Sequence, residues 1–400
     1  MPGRIEVLGK HTDYGGGRSL LCAIERGIHT RAYPRATTLV RVRDTNSGEA
    51  AEFELSPDVI SAPGHWSNYA ITVARRIATN FSGPMLGADI VFASDLPFAA
   101  GASSSSALVI AIFLALSAVN DLPARSEYRK NIRSQEDLAG YLGAVENGLD
   151  FKSLRGNAGV GTFGGTEDHT AILCARPNSV VQYSFSPVTF ERAIDLPAGY
   201  VFVVGTSGVV AEKTGAALEQ YNRVSRRLSV GLECWRSATG RNDVSMGAAV
   251  ASSPASHESI RDVLASATGV EYPAESLTQR FEQFYEESVE IIPAAGDALA
   301  RGDLAEFGEQ VALSQLGAER YLQNQIPETI ALVRQARELG AVAASAFGAG
   351  FGGSVWSMIE SSRAESFRRS WAQAYTEAFP ESAQRSVFFV TGAGPPATAL

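Results

Sequence analysis

Cysteine is scarce in this chain, with three among 400 residues: Cys22, Cys174 and Cys234. They are odd in number and far apart. That excludes a disulfide framework and a metal-finger spacing, and suits a reducing compartment. Charge is thin as well, at 19% of residues, and no basic run interrupts a net of −9. An acidic chain of this kind is a poor partner for nucleic acid or for an anionic membrane. Long hydrophobic runs are missing too, since the longest, Ala107 to Val119, is too short to span a bilayer. No charged start precedes an apolar stretch, so a cytoplasmic globular protein is expected.

What the chain does contain is 45% apolar residues, enough to fill a large interior, over a length that suits two medium domains. Glycine is abundant at 38 residues and clusters at Gly15 to Gly17, Gly159 to Gly165 and Gly348 to Gly353. Each cluster lies between apolar stretches, as tight loops on a scaffold do. Strand-like text covers Arg4 to Leu8, Thr38 to Val42, Asp89 to Ala93, Val180 to Phe185 and Tyr200 to Gly205. Helical patterns run over Trp66 to Ala78, Ser105 to Asn120, Lys213 to Leu232, Leu277 to Ala300, Leu304 to Tyr321 and Pro327 to Leu339. A β–α–β ending follows: Ala341 to Phe347 with the strand after the last glycine cluster, a helix over Arg363 to Phe379, and a strand over Ser386 to Thr391. Ser237 to Ser276 is rich in small residues, shows little periodicity and reads as a long surface excursion. Strands and helices are segregated rather than strictly alternating, which predicts an α+β fold.

Four segments carry chemistry. Leu96 to Ala107 sets small residues ahead of an apolar helix. A helix N-terminus offers free N–H groups and a partial positive charge, so Gly101, Ala102, Ser103, Ser104 and Ser105 suit phosphate oxygens, and a serine hydroxyl suits Mg²⁺. A serine-rich N-cap of a core helix is the plainer reading of the same residues. Neither a Walker A pattern nor a G-x-S-x-G elbow is present, so P-loop NTPases and α/β-hydrolases lack their signatures. Pro2 to Gly17 runs a strand into a glycine-flanked loop holding Lys10, His11, Thr12, Asp13 and Tyr14. Several donors and acceptors within one turn suit a polyhydroxylated ligand, with a surface hairpin as the alternative. Gly164 to His169 places Glu167 and Asp168 after a glycine loop, as a carboxylate base or as a solvated turn. Gly348 to Ser354 permits a tight turn against another backbone.

In this order and at these separations, the four segments resemble the GHMP kinase superfamily, most closely its galactokinase branch. Those proteins share a PGR opening that leads into GEHTDY-x-GG, a P-x-G-x-G-L-S-S-S-A phosphate loop and a late G-G/A-G-F-G-G motif. The resemblance spans nearly the whole chain. It implies a two-domain GHMP kinase fold of α+β class: an N-terminal ribosomal-S5-domain-2-like domain over 1–195, a C-terminal ferredoxin-like α/β domain over 196–400, and the active site between them. It also implies an ATP- and Mg²⁺-dependent kinase that phosphorylates a monosaccharide or sugar-acid hydroxyl, the anomeric one, as a monomer or weak homodimer. By position it makes Asp168 the base and Arg4 its support. Lys10, His11, Asp13, Gly165 and Tyr221 fall at sugar-binding positions, Gly101 to Ser105 at the phosphate loop, and Ser105 and Glu146 at the Mg²⁺ ligands. Trp66 and Tyr69 match a helix motif near the nucleotide, where packing is the competing role. A non-catalytic sugar or nucleotide sensor on the same fold is the rival from another class, and a kinase for a non-sugar alcohol such as mevalonate is the rival within it.

Departures from the pattern bear on the substrate. Lys10 stands where the family has a glutamate, Glu6 where it has an asparagine, and Ala99 and Ala100 where glycines are usual; the segment at the base reads TEDH rather than MDQ. Lysine has three donors and no acceptor, so at Lys10 it suits a carboxylate at the sugar's C6, as in a uronic acid. A lysine turned elsewhere leaves neutral sugars.

Overall fold

The first strand, β1 (Pro2–Leu8), is buried from Gly3 onward, because the long strand β2 (Arg18–Pro34) lies beside it and helices cover it. The computed structural model describes residues 1–97, 101–161, 163–209 and 215–398. Phe98 to Ala100 of the expected phosphate loop and the expected helix start at Lys213 lie outside them. Five further strands complete a seven-stranded sheet: β3 (Leu39–Asp44), β4 (Ala50–Glu54), β5 (Ala88–Ser94), β6 (Ser179–Ser184) and β7 (Thr189–Asp195). Its order is β4-β3-β5-β2-β6-β7, with β1 also on β2, and every pairing is antiparallel except β3 with β5. β2 was not legible as a strand. Its apolar stretch lacks the period of two because partners occupy both of its edges and burial is nearly continuous in its first half.

Helices α1 (Ser67–Asn80), α2 (Ser104–Val119), α3 (Ser126–Asn131), α4 (Gln135–Asn147) and α5 (Glu167–Cys174) accompany this sheet. α2 is apolar on nearly all sides, as a helix buried among α1, α4, α5 and β2 must be. The Ser134 hydroxyl accepts the Asp137 amide at the start of α4, and Gly148 ends that helix in the left-handed conformation.

The second sheet has four strands, β8 (Tyr200–Thr206), β9 (Ala343–Phe347), β10 (Ser354–Glu360) and β11 (Phe388–Thr391), in the order β11-β8-β10-β9 and antiparallel throughout. Its helices are α6 (Gly215–Thr239), α7 (Met246–Val250), α8 (Ser256–Ala265), α9 (Ala274–Tyr285), α10 (Ile292–Arg301), α11 (Leu304–Gly317), α12 (Pro327–Glu338), α13 (Ala364–Ala378) and α14 (Pro380–Ala383). Ser237 to Ser276 is therefore not an irregular excursion. α7 and α8 sit inside it, and their few apolar residues, Met246, Ala249, Ile260 and Leu264, are buried with residues of α6 and α9. The expected helix over Leu277 to Ala300 is interrupted by a π turn at Glu286–Ile291, just before Pro293, whose missing N–H favours a wider turn there.

One apolar core joins the two sheets. Ile5, Val7 and Leu20 of the first belong to the same cluster as Phe202, Val204, Trp356 and Phe389 of the second. Trp356 is fully buried, 5.6 Å from the Phe202 ring in a T-shaped contact and 6.4 Å from Phe307. Among the described residues, no helix is long and apolar enough to cross a membrane. Trp356→Ala is expected to cost about 3–5 kcal/mol of stability in urea unfolding, the usual effect of an aromatic truncation in a closed core. A loss under about 1 kcal/mol would show that the two sheets do not share that core.

Candidate active site

Arg4 projects from the buried strand β1 and is 4% exposed. Its Nε and Nη2 stand 2.7 and 2.6 Å from Asp168 Oδ1. Nη1 donates to the Gly101 carbonyl, and the Arg4 backbone N–H donates to that of Ala102 at 3.4 Å. One guanidinium thus ties the acid in the first turn of α5 to the turn that opens α2. Asp168 keeps 22% of its side chain exposed, so a ligand hydroxyl can reach it.

Ser103 is the N-terminal flanking residue of α2 and sits in the left-handed region at φ 58°. Its hydroxyl makes no cap, and it is buried without a hydrogen-bond partner. The plain N-cap reading therefore does not describe Ser103, and the helix start keeps its donors for an anion. Ser104 and Ser105 are half-buried. Ser106, which sequence reasoning did not single out, is buried, with Oγ 3.1 Å from Glu146 Oε2 and 3.5 Å from Asp168 Oδ2. His169 Nε2 lies 3.2 Å from the same Glu146 oxygen. Among the described residues, no group of three or more His, Cys, Asp or Glu side chains forms a metal cage.

The loop after β1 is buried rather than a surface hairpin: Lys10, His11, Thr12 and Asp13 all lie inside. Asp13 accepts the backbone N–H of Tyr14 at 2.8 Å and of Glu167 at 2.9 Å. Burial pushes its carboxyl above the usual range, and these amide donors offset part of that rise. Gly165 lies against this carboxylate so closely that a Cβ there would fall 1.9 Å from Asp13 Oδ2, so no larger residue fits. Asn147 holds the glycine pair from the other side, accepting from Gly164 N at 2.7 Å and donating to Gly165 O at 3.3 Å. Its position directly after Glu146 was the signal available in the sequence. His11 adopts φ 57°, with Nε2 3.1 Å from the Ala349 carbonyl in the last glycine cluster. The Tyr221 ring on α6 lies 5.5 Å from the His11 ring. Burial, then the charges of Asp13, Tyr14 and Asp168, push the Tyr221 phenol well up, which keeps it a neutral donor. Asp13, His11, Gly165, Tyr221 and Asp168 thus meet around one site.

Lys10 departs from the expected sugar contact. It is 1% exposed, and Nζ donates to Ser314 Oγ on α11 at 2.8 Å and to Ser345 Oγ on β9 at 2.7 Å. A buried ammonium must find such acceptors. Both lie on C-terminal elements, so Lys10 fastens the loop to the second sheet instead of presenting its charge to a ligand. Trp66 packs on Phe92 at 5.9 Å, and both Trp66 and Tyr69 rest against the core, which is a packing role.

Family models match three parts of the chain: the galactokinase galactose-binding signature at residues 2–34, the GHMP kinase N-terminal domain at 68–150 and the GHMP kinase C-terminal domain at 297–377. The galactokinase of Roseiflexus sp. is 29% identical over 381 residues, covering 94% of this chain and 87% of its own length. That of Chloroflexus aggregans is 26% identical over 379 residues, with 94% and 86% coverage. Among solved structures, Lactococcus lactis galactokinase complexed with galactose superposes with a TM-score of 0.80 at 21% identity, covering 100% of this chain and 94% of that one. Mevalonate kinase of L. major, in complex with R-mevalonate, gives 0.57 at 15% identity, covering 99% and 95%. The chain thus carries matches to both the N-terminal and the C-terminal GHMP kinase domains. It is galactokinase-like, and the galactokinase signature lies on β1, its loop and β2.

Gly165→Ala should displace the Asp13 carboxylate by roughly the missing ångström and raise the sugar KM by about 10²-fold, with the KM for ATP little changed. Steady-state kinetics with each substrate varied in turn check this. An unchanged sugar KM would remove Asp13 from the sugar site.

Proposed function

We propose that this chain is an ATP-dependent kinase that phosphorylates the anomeric hydroxyl of a neutral monosaccharide of the galactose type. The observation that carries this reading is the convergence on one site of an arginine-held, partly exposed Asp168, the Asp13–His11–Tyr221 pocket and the uncapped start of α2. Phosphoryl transfer asks mainly for positioning and for stabilisation of charge on the transferred group.

Each part then has a task. The N–H groups at the start of α2, with Gly101 to Ser105, cradle the nucleotide phosphates. Asp13 accepts hydrogen bonds from sugar hydroxyls, and Tyr221 and His11 border the ring. Asp168 accepts the proton of the attacking hydroxyl, and Arg4 holds it there while offering positive charge to the transferring group. Glu146, Ser106 and Ser105 offer the oxygen chemistry that Mg²⁺ prefers, so they are its ligands in this reading, with phosphates and water completing the shell. Bound there, the ion would neutralise phosphate charge. A neutral sugar is favoured over a uronic acid because Lys10 is taken up by two hydroxyls and Arg4 by Asp168.

Asp168→Asn should lower kcat by roughly 10²–10⁴ while ATP affinity stays close to wild type. Turnover near wild type would show that Asp168 is not the base. Glu146→Ala should raise the Mg²⁺ concentration needed for half-maximal rate and lower kcat with it; a fixed Mg²⁺ dependence would leave Glu146 a structural carboxylate. ADP release across galactose, glucose, arabinose, galacturonate and glucuronate should favour a neutral sugar, and preference for a uronic acid would overturn that part of the reading. Melting raised by sugar without any ADP would indicate a sensor.

A further inference from the structure

Three buried side chains along α9 meet the backbone of the loop between β1 and β2, and the phosphoryl-transfer scheme uses none of them. Arg280 is fully buried, and Gln283 and Glu287 are each 2% exposed. Positions 280, 283 and 287 share one helix face, the last of them in the π turn that continues α9. Arg280 Nη2 donates to the His11 carbonyl. Gln283 Nε2 donates to the Lys10 carbonyl at 3.2 Å. Glu287 Oε1 accepts from Gly9 N at 2.8 Å and from Lys10 N at 3.4 Å. The helix thus meets residues 9, 10 and 11 in reverse order, with a bond at each step. The three side chains are themselves fixed. Arg280 Nη1 donates to Gln283 Oε1, its Nε to the Val224 carbonyl of α6 at 3.3 Å, and its Nη2 also to the Tyr14 hydroxyl at 3.0 Å. Ser314 Oγ donates to Glu287 Oε1 at 2.9 Å. The rest of the loop lies on the same surface, since a Cβ at Gly15 would fall 2.8 Å from the Phe284 ring and one at Gly17 2.9 Å from it.

We propose that Arg280, Gln283 and Glu287 are positioning residues that template the loop, holding His11 and Asp13 where the sugar meets them. This rests on the reading of that loop as part of the sugar site. The need for a template is local. His11 carries a Cβ yet adopts φ 57°, a conformation that an L residue seldom takes without support. Its carbonyl is the one that Arg280 holds. Released from that bond, the peptide relaxes toward the commoner region, taking the His11 ring off the Ala349 carbonyl and shifting Asp13, two residues on. Lysine at 280 is no substitute. A guanidinium carries five donors in a fixed plane and so serves His11, Tyr14, Gln283 and Val224 at once, whereas an ammonium is a single point. The backbone groups that Gln283 and Glu287 satisfy belong to buried residues, where an unpaired N–H or carbonyl is costly.

The test compares wild type with Arg280→Lys, Gln283→Met, Glu287→Met and Glu287→Gln. The first readout is hydrogen exchange of the ligand-free protein, followed by mass spectrometry on peptides covering residues 9–17, with β8 and β11 as reference. Arg280→Lys, Gln283→Met and Glu287→Met should each speed exchange over 9–17 by about tenfold and leave the reference strands unchanged. Glu287→Gln keeps an oxygen where Gly9 and Lys10 donate, so it should recover most of the protection that Glu287→Met loses. The second readout is steady-state kinetics. The same three variants should raise the sugar KM about tenfold, with the KM for ATP within about twofold. Wild-type exchange over 9–17 in all three, or KM values for sugar and ATP that rise together, overturns the proposal. If Arg280→Lys fails to fold, Gln283→Met, close to the native side chain in volume, makes the same comparison. Exchange needs no turnover. Failure to phosphorylate any sugar would therefore sink the kinase reading alone, and exchange would still decide whether α9 holds the loop.

Discussion

A buried guanidinium has to satisfy all its directions with partners, and Arg4 does so at the centre of the candidate site. Two of its nitrogens meet Asp168, a third meets the Gly101 carbonyl, and its plane lies 5.6 Å from the Phe347 ring of β9. Those contacts reach α5, the start of α2 and the second sheet from one strand residue. The last glycine cluster has to come close for the same reason. A Cβ at Gly348 would lie 3.2 Å from the Gly101 carbonyl and 3.5 Å from Arg4 Nη2, and φ 80° there is available to glycine.

Charge is handled locally in an acidic protein. A net of −9 does not by itself argue against a phosphate site, because the free N–H groups of a helix start and a buried arginine do not depend on surface charge. The interior of the site is itself rich in acids: Glu6, Asp13, Glu146, Glu167 and Asp168 all sit within it. Their mutual repulsion is met in three ways. Backbone N–H groups point at Asp13, cations face Glu6 and Asp168, and hydroxyls stand at Glu146 and Glu167.

The same logic explains why Lys10 turned inward. Glu287 accepts from Gly9 N and from the Ser314 hydroxyl, and Ser314 in turn accepts from Lys10 Nζ. This chain of bonds connects the loop to the π turn and α11, which lie far from it in sequence. It gives the loop a floor beneath His11 and Asp13.

By itself the sequence determined the scaffold's punctuation and its short-range chemistry. The glycine clusters, the small residues before an apolar helix and the HTDY loop are local signals, because turn conformation and helix starts depend on a few neighbouring residues. The resemblance they carry reached the fold and the class of reaction, and it pointed to Arg4, Asp13, Asp168 and Glu146, which the fold brings into one region. Only the tertiary structure decided the rest. β2 is a strand because partners take both of its edges, and α7 and α8 are helices because α6 and α9 offer a surface for four buried side chains. Ser106 rather than its neighbours meets Glu146 because of the helical phase of α2, and Lys10 faces Ser314 and Ser345, both over three hundred residues away. Which atom a charged group faces is set by long-range packing, and no window of the chain contains it.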